Sequence, residues 1–120
     1  MRRSLRVLLV LVIATCALVL SSPLQAMPPT VNGSVGPGFV IGLKRSGQKV
    51  TTLKARRYRF VIRDFSGIHN FHLTGPGVNR ATSVSLSGTT SIWTLTLARG
   101  TYRFRCDVHP PSLRGRFTVT

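Results

Sequence analysis

The chain has 120 residues, which suits one domain and excludes a large multidomain architecture. Its 17 Lys and Arg residues face two acidic residues, Asp64 and Asp107, so the formal net charge is +15. A field of this sign attracts anionic partners, so we expect non-specific nucleic-acid binding at low salt and no specific nucleic-acid function.

The N-terminal segment predicts export. Three arginines within the first six residues precede an apolar run from Val7 to Leu20, which is short for a membrane span. This layout is typical of a secretory signal peptide over residues 1–26, cleaved near Ala26, and an uncleaved membrane anchor is the alternative. Cleavage removes Cys16 and leaves 94 residues. We therefore expect the protein in the periplasm, the cell envelope or the extracellular space, where its anionic partners are acidic envelope polymers, anionic lipid or acidic proteins.

After this segment the pattern predicts strands and no helix. Residues 27–37 are rich in Pro, Gly and Ser and are interpreted as a linker or lead-in, and residues 38–120 as the domain. Alternation is clearest at 57–64 and 102–106, where apolar residues face one side and arginines the other. The predicted strands are 39–43, 50–53, 57–64, 69–73, 83–86, 92–97, 102–106 and 116–120. Seven or eight short strands separated by Gly and Pro turns predict an all-β fold, an antiparallel β-sandwich.

Much of the positive charge falls on strand positions that face outward. The arginines concerned are Arg57, Arg59, Arg63, Arg103 and Arg105. Either they keep the sheet faces solvated, or they form a docking surface for anions. The sequence leaves both interpretations open.

Cys106 has no second cysteine to pair with once the signal peptide is removed. In an oxidising compartment such a thiol bridges to another chain, is buried and inert, or binds a metal. His109 follows three residues later, and thiolate with imidazole suits copper or zinc. A third ligand is available from His69 and His72, which face opposite ways on a strand. Because His69 shares its side with Phe71, we predict that His69 points inward and that His72 lies at the surface.

A Cys–His catalytic dyad is the alternative chemistry for these residues. Asp107 is the only nearby acid and faces away from Cys106 if the strand continues, although Asn70 could orient a histidine. No oxyanion-hole motif is evident. The sequence therefore favours a metal site over an enzyme active site.

Two motifs resemble those of the cupredoxins, the family of plastocyanin, amicyanin and azurin. The family has a His-Asn pair on one strand and, near the C-terminus, Tyr-x-Phe-x-Cys followed by His, Met and Gly. Here GIHNFHL supplies His69 and Asn70, and YRFRCDVHPPSLRG supplies Cys106, His109 and Gly115. The resemblance covers roughly residues 50–120, and HNFHLTGPGV is especially similar to small bacterial plastocyanin-like domains.

The resemblance implies a Greek-key cupredoxin sandwich with one copper ion that cycles between Cu(I) and Cu(II). His69, Cys106 and His109 match the three equatorial ligands, and Asn70 matches the residue that braces the cysteine loop. Leu113 stands in the place of the weak axial methionine and cannot coordinate, which alters copper affinity and redox tuning. The expected protein is an exported type 1 (blue) copper protein, a monomeric single-electron carrier rather than an enzyme, whose redox partner has an acidic surface. The alternatives are a copper carrier or buffer without electron transfer, and a degenerate cupredoxin that serves as a basic envelope-binding module.

Overall fold

The computed structural model describes residues 24–84 and 88–120. The predicted signal peptide up to residue 23, with Cys16, and part of the predicted strand 83–86 lie outside the described residues. The strands are β1 (Thr30–Val35), β2 (Ile41–Arg45), β3 (Gln48–Lys49), β4 (Thr52–Leu53), β5 (Arg57–Asp64), β6 (His72–Gly75), β7 (Val78–Ala81), β8 (Thr89–Thr96), β9 (Gly100–Arg105) and β10 (Arg114–Val119). The described part of the chain contains no helix with the length and apolar character that a membrane crossing needs.

The strands form two five-stranded sheets that share one hydrophobic core. The order is β3–β2–β1–β5–β8 in the first sheet and β4–β10–β9–β6–β7 in the second. β1 runs parallel to β5, and β4 runs parallel to β10, whereas the other paired neighbours are antiparallel. The predicted all-β sandwich is confirmed, but its sheets are mixed rather than antiparallel. The described residues form ten strands rather than seven or eight, because β1, β3 and β7 were not predicted.

β1 corrects the interpretation of residues 27–37 as a linker. The strand lies between β2 and β5 in the first sheet and pairs with both. Val31 and Val35 are fully buried, and Gly33 between them faces inward, where a Cβ atom would collide with the side chain of Ile62. The alternation of a half-buried strand is therefore present, but the glycine at one inward position hides it from a hydrophobicity pattern.

The core lies between the sheets and follows the predicted alternation. Tyr58, Phe60 and Ile62 of β5 are buried, as are Trp93 and Leu95 of β8. The second sheet contributes Leu73, Tyr102, Phe104 and Phe117. Burial of an apolar side chain of this size contributes about 1.5–3 kcal/mol to stability. This core fixes the ends of β5, β6 and β9, from which the candidate site is built.

The β6–β7 hairpin differs from the prediction. β6 begins at His72 rather than at residue 69, and residues 76–77 connect it to β7 with a positive φ of 68° at Gly77. Pro followed by Gly at the centre is typical of a type II turn. Residues 83 and 84, the described part of the predicted strand 83–86, are not in a strand. The strand at this edge is β7, whose largely exposed and polar residues lack the apolar pattern that predicts strands.

Candidate metal centre

The three predicted ligands meet at one end of the sandwich. His69 lies between β5 and β6, Cys106 directly follows β9, and His109 lies in the loop between β9 and β10. The side chains of His69 and Cys106 are fully buried, whereas His109 is partly exposed. The fold thus brings His69 against His109 across a sequence separation of 40 residues.

Their donor atoms form a compact triangle. Nδ1 of His69 and Nδ1 of His109 are 3.0 Å apart, and each lies 3.8 Å from Sγ of Cys106. The point equidistant from the three corners is about 2.1 Å from each atom, close to the roughly 2.0–2.1 Å and 2.3 Å at which imidazole nitrogen and thiolate sulfur bind zinc. One transition-metal ion therefore fits among the three atoms.

The donor set selects the class of metal. One thiolate and two imidazoles suit copper or zinc, whereas calcium and magnesium require oxygen ligands. A neutral imidazole carries a proton on one nitrogen and accepts at the other, so both Nδ1 atoms bind a metal only when the protons sit on Nε2. Without a metal ion, the 3.0 Å contact requires one Nδ1 to donate a hydrogen bond to the other.

A short loop sets the spacing between Cys106 and His109. The Cys106 N–H donates to the Leu113 carbonyl at 2.9 Å and closes the loop at its base. Within the loop, the N–H groups of Ser112 and Leu113 donate to the His109 carbonyl at 3.2 and 3.0 Å. Pro110 disfavours a helical conformation at His109. Leu113 is buried in the same hydrophobic cluster as Cys106, and its place as axial neighbour of a metal remains a prediction.

Asn70 joins the two chain segments of the site. Its Oδ1 accepts the Asp107 N–H at 2.8 Å, and its Nδ2 donates to the Thr82 carbonyl at 3.3 Å and to Oδ2 of Asp107 at 2.8 Å. Its backbone N–H donates to Sγ of Cys106 at 3.5 Å. The Asn70 side chain thus connects the segment before β6 to the first residue of the cysteine loop after Cys106.

Several solved structures resemble this one at low sequence identity. Reduced rusticyanin aligns with a TM-score of 0.56 and 18% identity over 80% of this chain and 81% of that chain. Auracyanin B aligns with a TM-score of 0.54 and 21% identity over 79% and 92% of the two chains. A chain of a heme-copper terminal oxidase dimer aligns with a TM-score of 0.55 and 13% identity over 76% and 63%. No protein-family model matches the sequence, and no curated protein matches it significantly.

The chain has the cupredoxin fold. At these identities the likeness extends to the fold alone, and it confirms the cupredoxin-like β-sandwich that the two sequence motifs implied. In this chain the cupredoxin fold carries the triangle of His69, Cys106 and His109 at the end of the sandwich where β9 leads into the cysteine loop.

Asp107 follows Cys106 in the chain and accepts three side-chain hydrogen bonds beside the donor triangle. Its carboxylate accepts hydrogen bonds from Asn70 at 2.8 Å, from Nδ1 of His72 at 2.8 Å and from Nε of Arg105 at 3.0 Å. Burial opposes ionisation, but these three hydrogen bonds and the charge of His72 lower the pKa of Asp107 to about 2. His72 also contacts Oδ1 of Asn79 at 2.6 Å and lies outside the donor triangle, although it is half-buried rather than exposed.

Two residues near the site were not predicted from the sequence. The ring of Phe39 packs edge-on against His69 and His109, with centroids 5.1 and 5.0 Å apart, while 62% of Phe39 is exposed. Phe39 precedes β2, and no sequence signal places it at the site. Asp64 ends β5 and is fully buried, on the inward side shared with Ile62. The alternation of β5 could have predicted that Asp64 is buried, because Asp64 and Ile62 are two residues apart and point to the same side of the strand.

Proposed function

We propose that the protein is an exported type 1 copper protein that binds one copper ion and carries single electrons. The observation that carries the proposal is the convergence of two imidazole nitrogens and one buried thiol, 3.0–3.8 Å apart, on a cupredoxin fold. His69, Cys106 and His109 are the proposed ligands. Leu113 is the proposed axial residue and does not coordinate, so the site has three ligands.

The similar structures support copper over zinc. Rusticyanin is a copper protein and has been solved in a reduced form. Copper supplies a one-electron couple, which zinc lacks. A soft thiolate favours Cu(I), and imidazole suits both oxidation states. Because the cysteine loop is closed by backbone hydrogen bonds and braced by Asn70, both states meet the same donor positions. This arrangement suits a carrier rather than an enzyme.

We propose that a redox protein docks at the end of the sandwich where His109 is partly exposed. Phe39 lies against His109, and Ile68 and Val108 each adjoin a proposed ligand in the chain. These three apolar residues are 62%, 57% and 51% exposed. A partner that covers them excludes water and comes close to the His109 imidazole. The proposed carrier acts as a monomer.

The second proposed contact surface is an arginine quartet on the outer face of the second sheet. Arg103 and Arg105 of β9 lie directly opposite Arg116 and Arg114 of β10, and all four are exposed. Like charges directly opposite each other destabilise a strand pair. The arrangement therefore favours anion docking over simple solvation, and the proposed occupant is the anionic lipid surface of the cell envelope.

Paired charge reversals test the arginine quartet. Arg103→Glu with Arg116→Glu should weaken binding to vesicles that contain anionic lipid, and the effect should shrink with salt because exposed charges are screened. Arg105 is left intact because its Nε binds Asp107 at 3.0 Å. Arg57→Glu with Arg63→Glu, on the first sheet, makes the same charge change. Equal weakening in both double variants, or binding that salt does not affect, contradicts docking at the quartet.

Copper addition tests the proposed function. Titration of the purified protein with Cu(II) should give one bound ion, an intense blue colour and reversible one-electron reduction by voltammetry. Cys106→Ala should abolish the colour and tight binding, whereas His72→Ala should retain both because His72 lies outside the donor triangle. Copper binding without reversible reduction favours a buffer. A Cys106→Ala protein that keeps the wild-type spectrum shows that the ligand assignment is wrong.

Export is tested on the protein recovered from the producing cell. Mass spectrometry of the recovered chain should show cleavage near Ala26. Cell fractionation should show that the protein is enriched outside the cytoplasm. An intact N-terminal segment in a membrane fraction indicates the anchored alternative, and an intact chain in the cytoplasm contradicts export.

A further inference from the structure

Two buried polar atoms, one of them on His69 of the donor triangle, have no hydrogen-bond partner. Within the described residues, Oδ2 of Asp64 and Nε2 of His69 are the buried side-chain nitrogen or oxygen atoms in this state. Both residues are almost completely inaccessible to solvent, at 1% and 0% exposure. Leaving a buried donor or acceptor unpaired is costly. One atom is an acceptor and the other can be a donor, so they complement each other.

The surrounding contacts place Asp64 beside the segment that carries His69. Oδ1 of Asp64 accepts the Ser66 N–H at 2.9 Å, which leaves Oδ2 free. The hydroxyl of Thr82 accepts the Phe71 N–H at 2.8 Å, two residues after His69. Burial raises the pKa of Asp64, while the hydrogen bond from the Ser66 N–H, the charge of His69 and a hydrogen bond from the Thr82 side chain oppose that rise. Both His69 and Thr82 therefore lie close to the carboxyl group.

The donor triangle determines which nitrogen of His69 carries the proton. Nδ1 of His69 points at His109 and at the Cys106 sulfur, so it is the nitrogen available to a metal. A neutral imidazole that binds through Nδ1 carries its proton on Nε2. Histidine ligands almost always donate this second N–H to a carboxylate, a carbonyl or water. Within the described residues, Oδ2 of Asp64 is the buried side-chain oxygen that lacks a hydrogen-bond partner.

We infer that Asp64 is a positioning residue for His69: a small approach of the two side chains lets the His69 Nε2–H donate to Oδ2 of Asp64 and gives both unpaired atoms a partner. This bond fixes the imidazole with Nδ1 turned into the donor triangle. It also fixes the direction of the 3.0 Å contact in the metal-free protein, where His109 then donates from its Nδ1 to Nδ1 of His69. The role toward copper rests on the proposed function, but the tautomer of His69 does not.

Asp64→Asn separates this role from a merely structural one. Asparagine keeps the turn, because its Oδ1 accepts the Ser66 N–H as Asp64 does. Its NH₂ group then faces the position of the His69 Nε2–H, and two donors cannot pair. Ser66→Ala is the matched control, since it removes the acceptor of the Ile68 N–H at 3.2 Å in the same loop and leaves Asp64 and His69 unchanged.

The tautomer is read from two-bond ¹H–¹⁵N correlations of the His69 ring in the labelled, metal-free protein. Wild type and Ser66→Ala should show His69 protonated at Nε2 with a slowly exchanging proton. Asp64→Asn should lose the slow exchange and bind Cu(II) about 10- to 100-fold more weakly in a chelator competition, the usual effect of removing such a partner.

The outcomes separate the inference from the proposed function. An unchanged His69 signal and unchanged copper affinity in Asp64→Asn overturn the inference. If Asp64→Asn does not fold, wild type alone decides, because His69 protonated at Nδ1 overturns the inference and protonation at Nε2 with slow exchange supports it. A wild-type protein that binds no copper but whose His69 proton depends on Asp64 supports the pairing and overturns only the copper role.

Discussion

Asn70→Ala should lower the stability of the metal-free protein strongly for a single substitution. Asn70 is buried and makes three side-chain hydrogen bonds that tie the segment before β6 to the cysteine loop. Alanine removes all three and leaves the Asp107 N–H and the Thr82 carbonyl without that partner. The backbone bond from residue 70 to the Cys106 sulfur does not depend on the side chain.

The contacts set the expected magnitude. Two of the lost bonds join neutral groups and contribute about 0.5–1.5 kcal/mol each, and the bond to the Asp107 carboxylate contributes about 1.5–3 kcal/mol. Asp107 is partly exposed, so water replaces part of its lost bonding. We therefore expect a loss of about 2–4 kcal/mol, out of the roughly 5–15 kcal/mol that stabilises a typical domain.

Urea unfolding of the metal-free protein measures this loss without any contribution from metal binding. The matched control is Asn79→Ala, which removes one exposed contact, from Oδ1 of Asn79 to Nε2 of His72 at 2.6 Å. The control should cost less than about 1 kcal/mol. An Asn70→Ala protein that is no less stable than Asn79→Ala would refute the reasoning, because it would mean that the network does not hold the loop.

Three further predictions concern the loop and the strands beside it. Leu113→Met should lower the reduction potential measured by voltammetry. A thioether favours Cu(II), whereas a leucine excludes water and favours the less charged Cu(I) site. An unchanged or raised potential contradicts the placement of Leu113 at the axial position. The pKa of Asp107 falls from 3.8 to about 2 on folding, so its contribution to stability is complete above about pH 5 and is lost as the pH falls through 2. Asp107→Asn should lack this loss of stability in acid when unfolding is measured as a function of pH. If the variant and the wild type lose stability identically, the lowered pKa of Asp107 is contradicted. Gly115→Ala should destabilise the fold by about 1–3 kcal/mol in thermal unfolding, because a Cβ there collides with the Phe104 ring, and a wild-type melting temperature contradicts that.

The sequence predicted the strands whose side chains alternate strictly. The bounds of β5 were correct, and so were the inward positions of Phe104 and Cys106, because apolar residues recur on one side of these strands and arginines on the other. His69 was correctly placed inward even though residue 69 lies before β6. Side chains alternate between two sides along any extended backbone, whether or not that backbone is hydrogen-bonded in a sheet. The prediction that His69 and Phe71 share a side therefore holds although residue 69 lies outside a strand.

The sequence could not predict features that depend on contacts between distant segments. β1 has a glycine at an inward position, and β7 is an exposed edge strand, so neither shows a periodic apolar pattern. Phe39 reaches the two histidines only because the fold brings its loop to their end of the sandwich. The resemblance predicts that Asn70 braces the cysteine loop, but it does not predict which groups accept hydrogen bonds from the Asn70 Nδ2 atom. One of them, the Thr82 carbonyl, lies 12 residues away in sequence.

The position of β1 limits how far the domain can travel if the N-terminal segment stays in a membrane. β1 starts at Thr30 and is held between two neighbouring strands, so it cannot unwind to lengthen the connection. Thr30 lies ten residue steps beyond Leu20, the last residue of the apolar run, and a fully extended chain of that length spans at most about 36 Å. A retained anchor therefore keeps the domain within about one domain diameter of the bilayer, where it meets partners by diffusion in two dimensions. Cleavage near Ala26 releases the same domain, which then meets partners by diffusion in three dimensions.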